Sequence, residues 1–315
     1  MQIGYFCRMQ LFQSEAKYDW DEILAVLHKS DISILGHKLP INIITLAAPI
    51  MLLCVLLEYW YSHRKNLNLY NTKGMIGSIG VGVGYLIATA IVNVITFKIV
   101  WACYYYLAPL IIPYTWWSFI LCIFAYDFAR YWAHRLAHEQ RFWWASHVTH
   151  HSSDHYNLTV SFRLCWVDQI KLIFFIPVIA IGFDPMMFFI VHQIGILYQF
   201  WQHSDLIPPL PKFIENIFVT PTNHKVHHGK NPSYIDVNYG SMFIFWDKLF
   251  GTYKEPGERP EWGITQPLSS TTNPFYLVFH EYVDWIRDLK HAKSFKDRWK
   301  ATFGRPGDYQ GVKKW

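Results

Sequence analysis

The sequence predicts an all-α protein of polytopic membrane helices carrying a helical cap, and three observations predict it. Apolar residues make up 52% of the 315, and mean hydropathy is positive at +0.10. Uncharged stretches approach the roughly 20 residues that a membrane-spanning helix needs. Between and after them, histidines recur three or four residues apart, where side chains share one helix face. Fifteen Trp and twenty Tyr suit bilayer interfaces, where an apolar ring with a polar edge is at home. The net charge of +5 forms no stripe along a soluble domain. That argues against nucleic acid and for anionic lipid headgroups. Cys7, Cys54, Cys103, Cys122 and Cys165 show no paired spacing and read as free thiols that behave as small apolar residues.

In chain order, residues 1–39 are mixed polar, with a short amphipathic helix expected at Asp19 to Leu27, and the start is too short and polar for a secretory signal. A first span is expected near residues 41–61, followed by Ser62-His-Arg-Lys65, which places that end in the cytoplasm by the positive-inside rule. A second span near 75–97 carries Gly80 and Gly84, a GxxxG that permits close helix approach. Residues 99–115, aromatic and interrupted by Pro109 and Pro113, are expected at the far interface. A third span near 116–133 runs on through Asp127 and Arg130 to the first histidines. Residues 170–202 form two short apolar arms about Gly182-Phe-Asp-Pro185, the pattern of a hairpin entering from the cytoplasmic face. A cytoplasmic tail, 254–315, is basic from Trp285 onward. No separate domain is apparent, so 1–315 reads as one membrane-embedded unit, with its histidine-rich core at 127–253.

That core holds the chemistry. Eleven of sixteen histidines lie between His134 and His228. Three groups stand out: His134 and His138 as HxxxH, then His147, His150 and His151, then His224, His227 and His228, each of the latter two as HxxHH. Each is a preformed cluster of donors on one helix face, and together they offer eight imidazoles. One structural zinc takes four ligands, so two metals of about four ligands each fit the count better. Imidazole suits iron, zinc and copper alike. His203, returned to the same side by the hairpin, is a ninth candidate. His192, eleven residues earlier on the same helix, lies roughly 16 Å deeper by the helical rise and reads as a buried or pocket-lining residue. Asp127, seven residues before His134, reads either as a carboxylate supporting an imidazole or as a partner of Arg130.

The series HxxxH, HxxHH, HxxHH among membrane-length apolar segments resembles the fatty acid hydroxylase and sterol desaturase superfamily. Pro221-Thr-Asn-His-Lys-Val-His-His-Gly-Lys-Asn231, Ile235-Asp-Val-Asn-Tyr-Gly240 and Trp246-Asp-Lys-Leu-Phe-Gly-Thr252 are similar to its alkylglycerol monooxygenase branch, as are His134-Arg-Leu-Ala-His-Glu139 and His150-His-Ser-Ser-Asp154. The resemblance implies a membrane-bound, O₂-using di-iron enzyme that attacks a lipid C–H bond, with zinc as a possible substitute metal. It further implies ether cleavage of an alkylglycerol, tetrahydropterin as electron source, a role for Glu139 in the site, and supporting roles for Asp154, Asn157, Asp236 and Asn238. On their chemistry alone these five are ordinary helix-surface or loop residues. No His-Pro-Gly-Gly haem motif is present, so a separate electron donor is expected. Sterol or fatty acid hydroxylation and desaturation are alternatives within the superfamily. A zinc-dependent membrane hydrolase is a further one, although no HExxH occurs. A metal transporter would place its ligands at mid-membrane depth, where only His192 is expected.

Overall fold

A computed structural model describes residues 31–34, 37–40 and 43–309; the helix expected at Asp19 to Leu27 lies outside them. Contacts divide the chain into two compact units, Met1–Leu46 and Ala47–Trp315. In the first, β1 (Asp31–Ile34) and β2 (His37–Pro40) form an antiparallel hairpin, pairing Asp31 with Pro40 and Ile34 with His37. Helix α1 (Ile43–Arg64) begins there and continues into the second unit. All that follows is helical apart from turns and one isolated bridge.

Helix α1 and helix α2 (Thr72–Leu107) are long and apolar enough to cross a membrane, each with a mean hydropathy of 2.0 over its most apolar window. Only 11% and 17% of those windows are buried, whereas a soluble core helix would hide most of its apolar face. Ile76, Ile79, Val83, Ile87, Ile91 and Ile95 stand exposed at three- and four-residue intervals along α2, a continuous apolar face suited to lipid. The chain is a membrane protein.

Asn71 starts α2 by accepting the backbone N–H groups of Lys73 and Gly74. The helix runs through the aromatic stretch expected at the interface and stops at Leu107. A proline disfavours helical backbone in the residue before it. Ala108, preceding Pro109, is accordingly extended (φ −73°, ψ 114°), so the helix ends one residue earlier and not at 97. The glycines of α2 pack against something other than a second long apolar helix. An added Cβ on Gly84 would lie 2.1 Å from the Trp166 ring, and one on Gly80 would press on Pro274.

Helix α3 (Trp116–Glu139) opens with a capping box between Thr115 and Ser118. Short helices α4 (Arg141–Trp144) and α5 (Val148–His151) follow, then 3₁₀ turns at Leu158–Phe162 and Asp168–Phe174. The apolar arms become that second turn with α6 (Ile176–Ile181), then α7 (Pro185–Gln202). Between them Gly182 adopts φ +115°, and a Cβ there would meet the Leu110 carbonyl oxygen at 2.2 Å. Asp184 then caps α7 through the N–H groups of Met186 and Met187. Helices α3 and α7 pack together around Tyr126, Ile179, Met187 and Val191. Beyond them come α8 (Lys212–Glu215), α9 (Pro221–His228), α10 (Phe245–Leu249), α11 (Pro274–His291) and α12 (Phe295–Phe303). Arg141 ties α11 to the core through buried pairs with Glu281 (2.8 Å) and Asp288 (2.6 Å).

Candidate metal centre

Helical spacing delivers the donors. His134 and His138 project from the last turns of α3, His147 precedes α5, and His150 and His151 end it. His203 caps the C-terminus of α7, and α9 carries His224, His227 and His228. All nine expected ligands converge into two groups: His134, His138, His147, His151 and His227 in one, and His150, His203, His224 and His228 in the other. Within each group the donor atoms lie within 4.8 Å of one another.

The tautomers favour metal binding. Nδ1 of His134, His203 and His227 lies 2.8, 2.8 and 2.9 Å from the carbonyl oxygens of Tyr239, Gln199 and Val237. A carbonyl can only accept, so each Nδ1 carries the hydrogen and each Nε2 keeps its lone pair, the second-shell arrangement of metal-bound imidazoles. The Nε2 atoms then face one another: His134 to His147 at 2.9 Å, His147 to His151 at 3.2 Å, and His151 to His227 at 3.1 Å. In the other group, His150 to His203, His203 to His224 and His224 to His228 are each 3.1 Å. Two nitrogens about 2.1 Å from a common ion are separated by roughly 3.0 Å at a right angle and 3.4 Å at the tetrahedral angle. The spacing fits. His138 Nε2 is buried and has no hydrogen-bond partner, a lone pair that an ion would satisfy.

Burial, then the neighbouring imidazoles, hold His134, His147, His151, His224 and His228 well below the usual histidine range. Burial takes His203 down to about 4. The cluster is therefore neutral at pH 7 and able to hold metal cations.

The supporting residues are placed differently from what spacing suggested. Asp127 bonds neither a histidine nor Arg130; its carboxylate accepts the backbone N–H groups of Met242 (2.8 Å) and Phe243 (3.1 Å) and the indole N–H of Trp246 (3.1 Å). Arg130 donates instead to Gln199. Asp127 thus anchors the loop whose Tyr239 carbonyl orients His134. Asp247, a residue the sequence reading did not single out, holds the same loop through the N–H groups of Tyr239 and Gly240, both at 2.7 Å. Burial pushes Asp247 up to about 6, against the opposing effect of its donors Thr252, Gly240 and Tyr239. Only a neighbouring Thr and Gly in sequence hinted at such a turn.

Asp236, at φ +60°, brings Oδ1 to 3.6 Å from His138 Nδ1. Asn238 (φ +56°) accepts the Lys254 N–H and donates to the Asn223 carbonyl, securing the start of α9. Asn157 caps a 3₁₀ turn and donates to the Leu69 carbonyl. Asp154 is exposed and lies against Gly263. Glu139 belongs to neither histidine group and pairs with Arg135 at 3.0 Å. His192 stands apart, its Nδ1 3.1 Å from the Tyr126 hydroxyl. Glu58 of α1 is a further residue missed from sequence. Its buried carboxylate accepts from Tyr70, the Leu158 N–H and Ser204, tying the first membrane helix to the residue after His203.

A cavity of about 140 Å³ opens onto His138, His151, His227 and His228, reaching imidazoles of both groups.

The fatty acid hydroxylase family profile matches residues 119–252, the stretch that contains all nine clustered histidines. The chain is 38% identical to an alkylglycerol monooxygenase of Xenopus tropicalis over 195 residues, which cover 62% of this chain and 43% of that protein. It is 36% identical to the alkylglycerol monooxygenase of Homo sapiens over the same shares. Against an ornithine lipid hydroxylase of Rhizobium tropici it is 30% identical over 132 residues, 41% of this chain and 40% of the other. The chain spans under half the length of these curated relatives. No solved structure matches it. Residues 119–252 thus carry the fatty acid hydroxylase pattern, and the chain is similar to alkylglycerol monooxygenases over 62% of its length.

Proposed function

We propose that the protein is a membrane-bound lipid monooxygenase with two iron ions, one in each histidine group. The observation that carries this reading is the convergence of nine neutral imidazoles into adjacent sets of five and four in a protein with lipid-facing helices. Five donors in one set exceed the four that zinc takes in a closed site, and the near-right-angle nitrogen spacing suits a higher coordination number. Bound iron would supply O₂ activation, turning O₂, two electrons and two protons into one inserted oxygen atom and one water. The protein's own groups orient that chemistry. Tyr239, Gln199 and Val237 fix the imidazole tautomers through their carbonyls, while Asp127 and Asp247 fix the loop that presents Tyr239.

The similarity to alkylglycerol monooxygenases makes an ether lipid the favoured substrate. Insertion of oxygen beside the ether oxygen gives a hemiacetal, which collapses to a fatty aldehyde and glycerol. The electrons come from a separate donor, for which tetrahydropterin is the proposal. We place the cluster on the cytoplasmic side, because Arg64 ends and Lys65 follows the helix whose Glu58 bonds Ser204, the residue after His203, and basic residues are retained inside. The apolar hairpin of residues 170–202 enters the bilayer from that face and shapes an alkyl slot.

The test is to give iron-loaded protein in membranes an alkylglycerol, a sterol and a fatty acid, with and without tetrahydropterin. Aldehyde release from the alkylglycerol only with pterin supports the full proposal. Oxidation of another lipid with another reductant would overturn the ether-lipid assignment, and no O₂-dependent oxidation of any lipid would overturn the whole.

A further inference from the structure

The cavity over the histidines has polar features that metal binding does not use. Besides His138, His151, His227 and His228, its wall presents Lys230, Asp236 and Thr265, set among apolar groups such as Ile235 and Ile264. Polar and apolar groups share this wall almost equally, and converging polar groups orient a small ligand. The backbone at Lys230 is held firmly. Its N–H donates to the Glu261 carbonyl at 2.7 Å, and the next residue, Asn231, bonds the Glu261 N–H and the Arg259 carbonyl.

The ammonium of Lys230 also lacks what other half-buried or buried cations of the protein have. Arg141, Lys171 and Lys225 each pair with a carboxylate; Lys230, half-buried, forms no ion pair among the described residues. A cation left unpaired next to a site built for metal cations is unfavourable unless electron-rich oxygens come between them. The cavity, about 140 Å³ and open to the surface, has room for a three-carbon polyol.

Geometry of the reaction supplies the remaining constraint. Where the oxidised carbon is bonded to the ether oxygen, the head of the lipid begins one bond away and must sit against the imidazoles. We propose that this cavity seats the hydroxyl-bearing glycerol head of the substrate, with Lys230 donating to its oxygens and so selecting ether lipids that carry a polyol. The inference rests on the lipid monooxygenase reading, and the experiment separates the two.

The full iron-loaded chain in lipid nanodiscs, kept without reductant so that no turnover occurs, is tested for equilibrium binding of radiolabelled hexadecylglycerol and of hexadecyl methyl ether, which has no hydroxyl. Loss of a charged hydrogen bond predicts that Lys230→Met weakens hexadecylglycerol roughly ten- to hundred-fold and leaves the methyl ether unchanged, with Lys230→Arg restoring most of the difference. In turnover the same variant raises KM for hexadecylglycerol and spares kcat. Unchanged binding of hexadecylglycerol, or equal weakening of both lipids, would overturn the assignment. If wild-type protein discriminates between the lipids in binding but oxidises neither when iron-loaded and reduced, the cavity assignment stands and the monooxygenase reading falls.

Discussion

Asp127 on α3 and Met242, 115 residues later, meet in a 2.8 Å hydrogen bond from the Met242 N–H to the buried carboxylate. The same carboxylate takes the Phe243 N–H and the Trp246 indole N–H. Asp127→Ala leaves one buried and two part-buried donors unpaired, at up to about 1–3 kcal/mol each. The expected result is destabilisation of roughly 3 kcal/mol or more together with impaired metal retention, because the loop that carries Tyr239 loses its anchor. Thermal unfolding in detergent, followed by metal analysis, checks both, and an unchanged melting temperature would contradict the anchoring role.

Metal stoichiometry should follow the division into two groups. Fully loaded, active protein is expected to hold two ions per chain. His134→Ala removes a donor from one group and His150→Ala from the other, so each should lower the content toward one. Elemental analysis of anaerobically purified protein decides, and a single ion in active wild-type protein would sink the two-metal reading.

His203 and His192 lie on the same helical segment and should behave oppositely. His203 Nε2 is 3.1 Å from both His150 and His224, whereas His192 bonds Tyr126. His203→Ala is expected to weaken metal binding in its group. His192→Phe should keep two ions per chain, with any effect confined to lipid turnover. Metal loss from the His192 variant would show that the separation is wrong.

Acid should destabilise the metal-free protein steeply. The folded histidines have depressed pKa values, His203 at about 4 and most of the others well below 6.5. Below the unfolded value of about 6.5 the unfolded chain takes up protons that the folded chain refuses. Stability is therefore full above that pH and lost as pH falls through about 4 and beyond, with a slope of up to about 1.4 kcal/mol per pH unit for each histidine. Unfolding curves of metal-free protein from pH 7.5 to 4.5 should show it, and a flat profile would mean that the imidazoles are not buried together.

By itself the sequence determined what depends on neighbours a few residues apart. Apolar runs marked α1 and α2, and Pro109 carried the reason why α2 ends at Leu107, ten residues beyond the expected 97. The i, i+3 and i, i+4 spacing of His134 with His138, and of His224 with His227 and His228, marked a candidate metal centre before any fold was known. Helical rise alone separated His203 from His192. Partnerships across the chain were decided by tertiary structure. Which histidines share a group depends on how α3, α5, α7 and α9 meet, so His150 leaves its neighbour His151 for His203, 53 residues away. A carboxylate bonds whatever donors packing brings to it. For that reason the partners of Asp127 are N–H groups of a distant loop, and Asp247 and Glu58 emerged as anchors only once the helices were assembled.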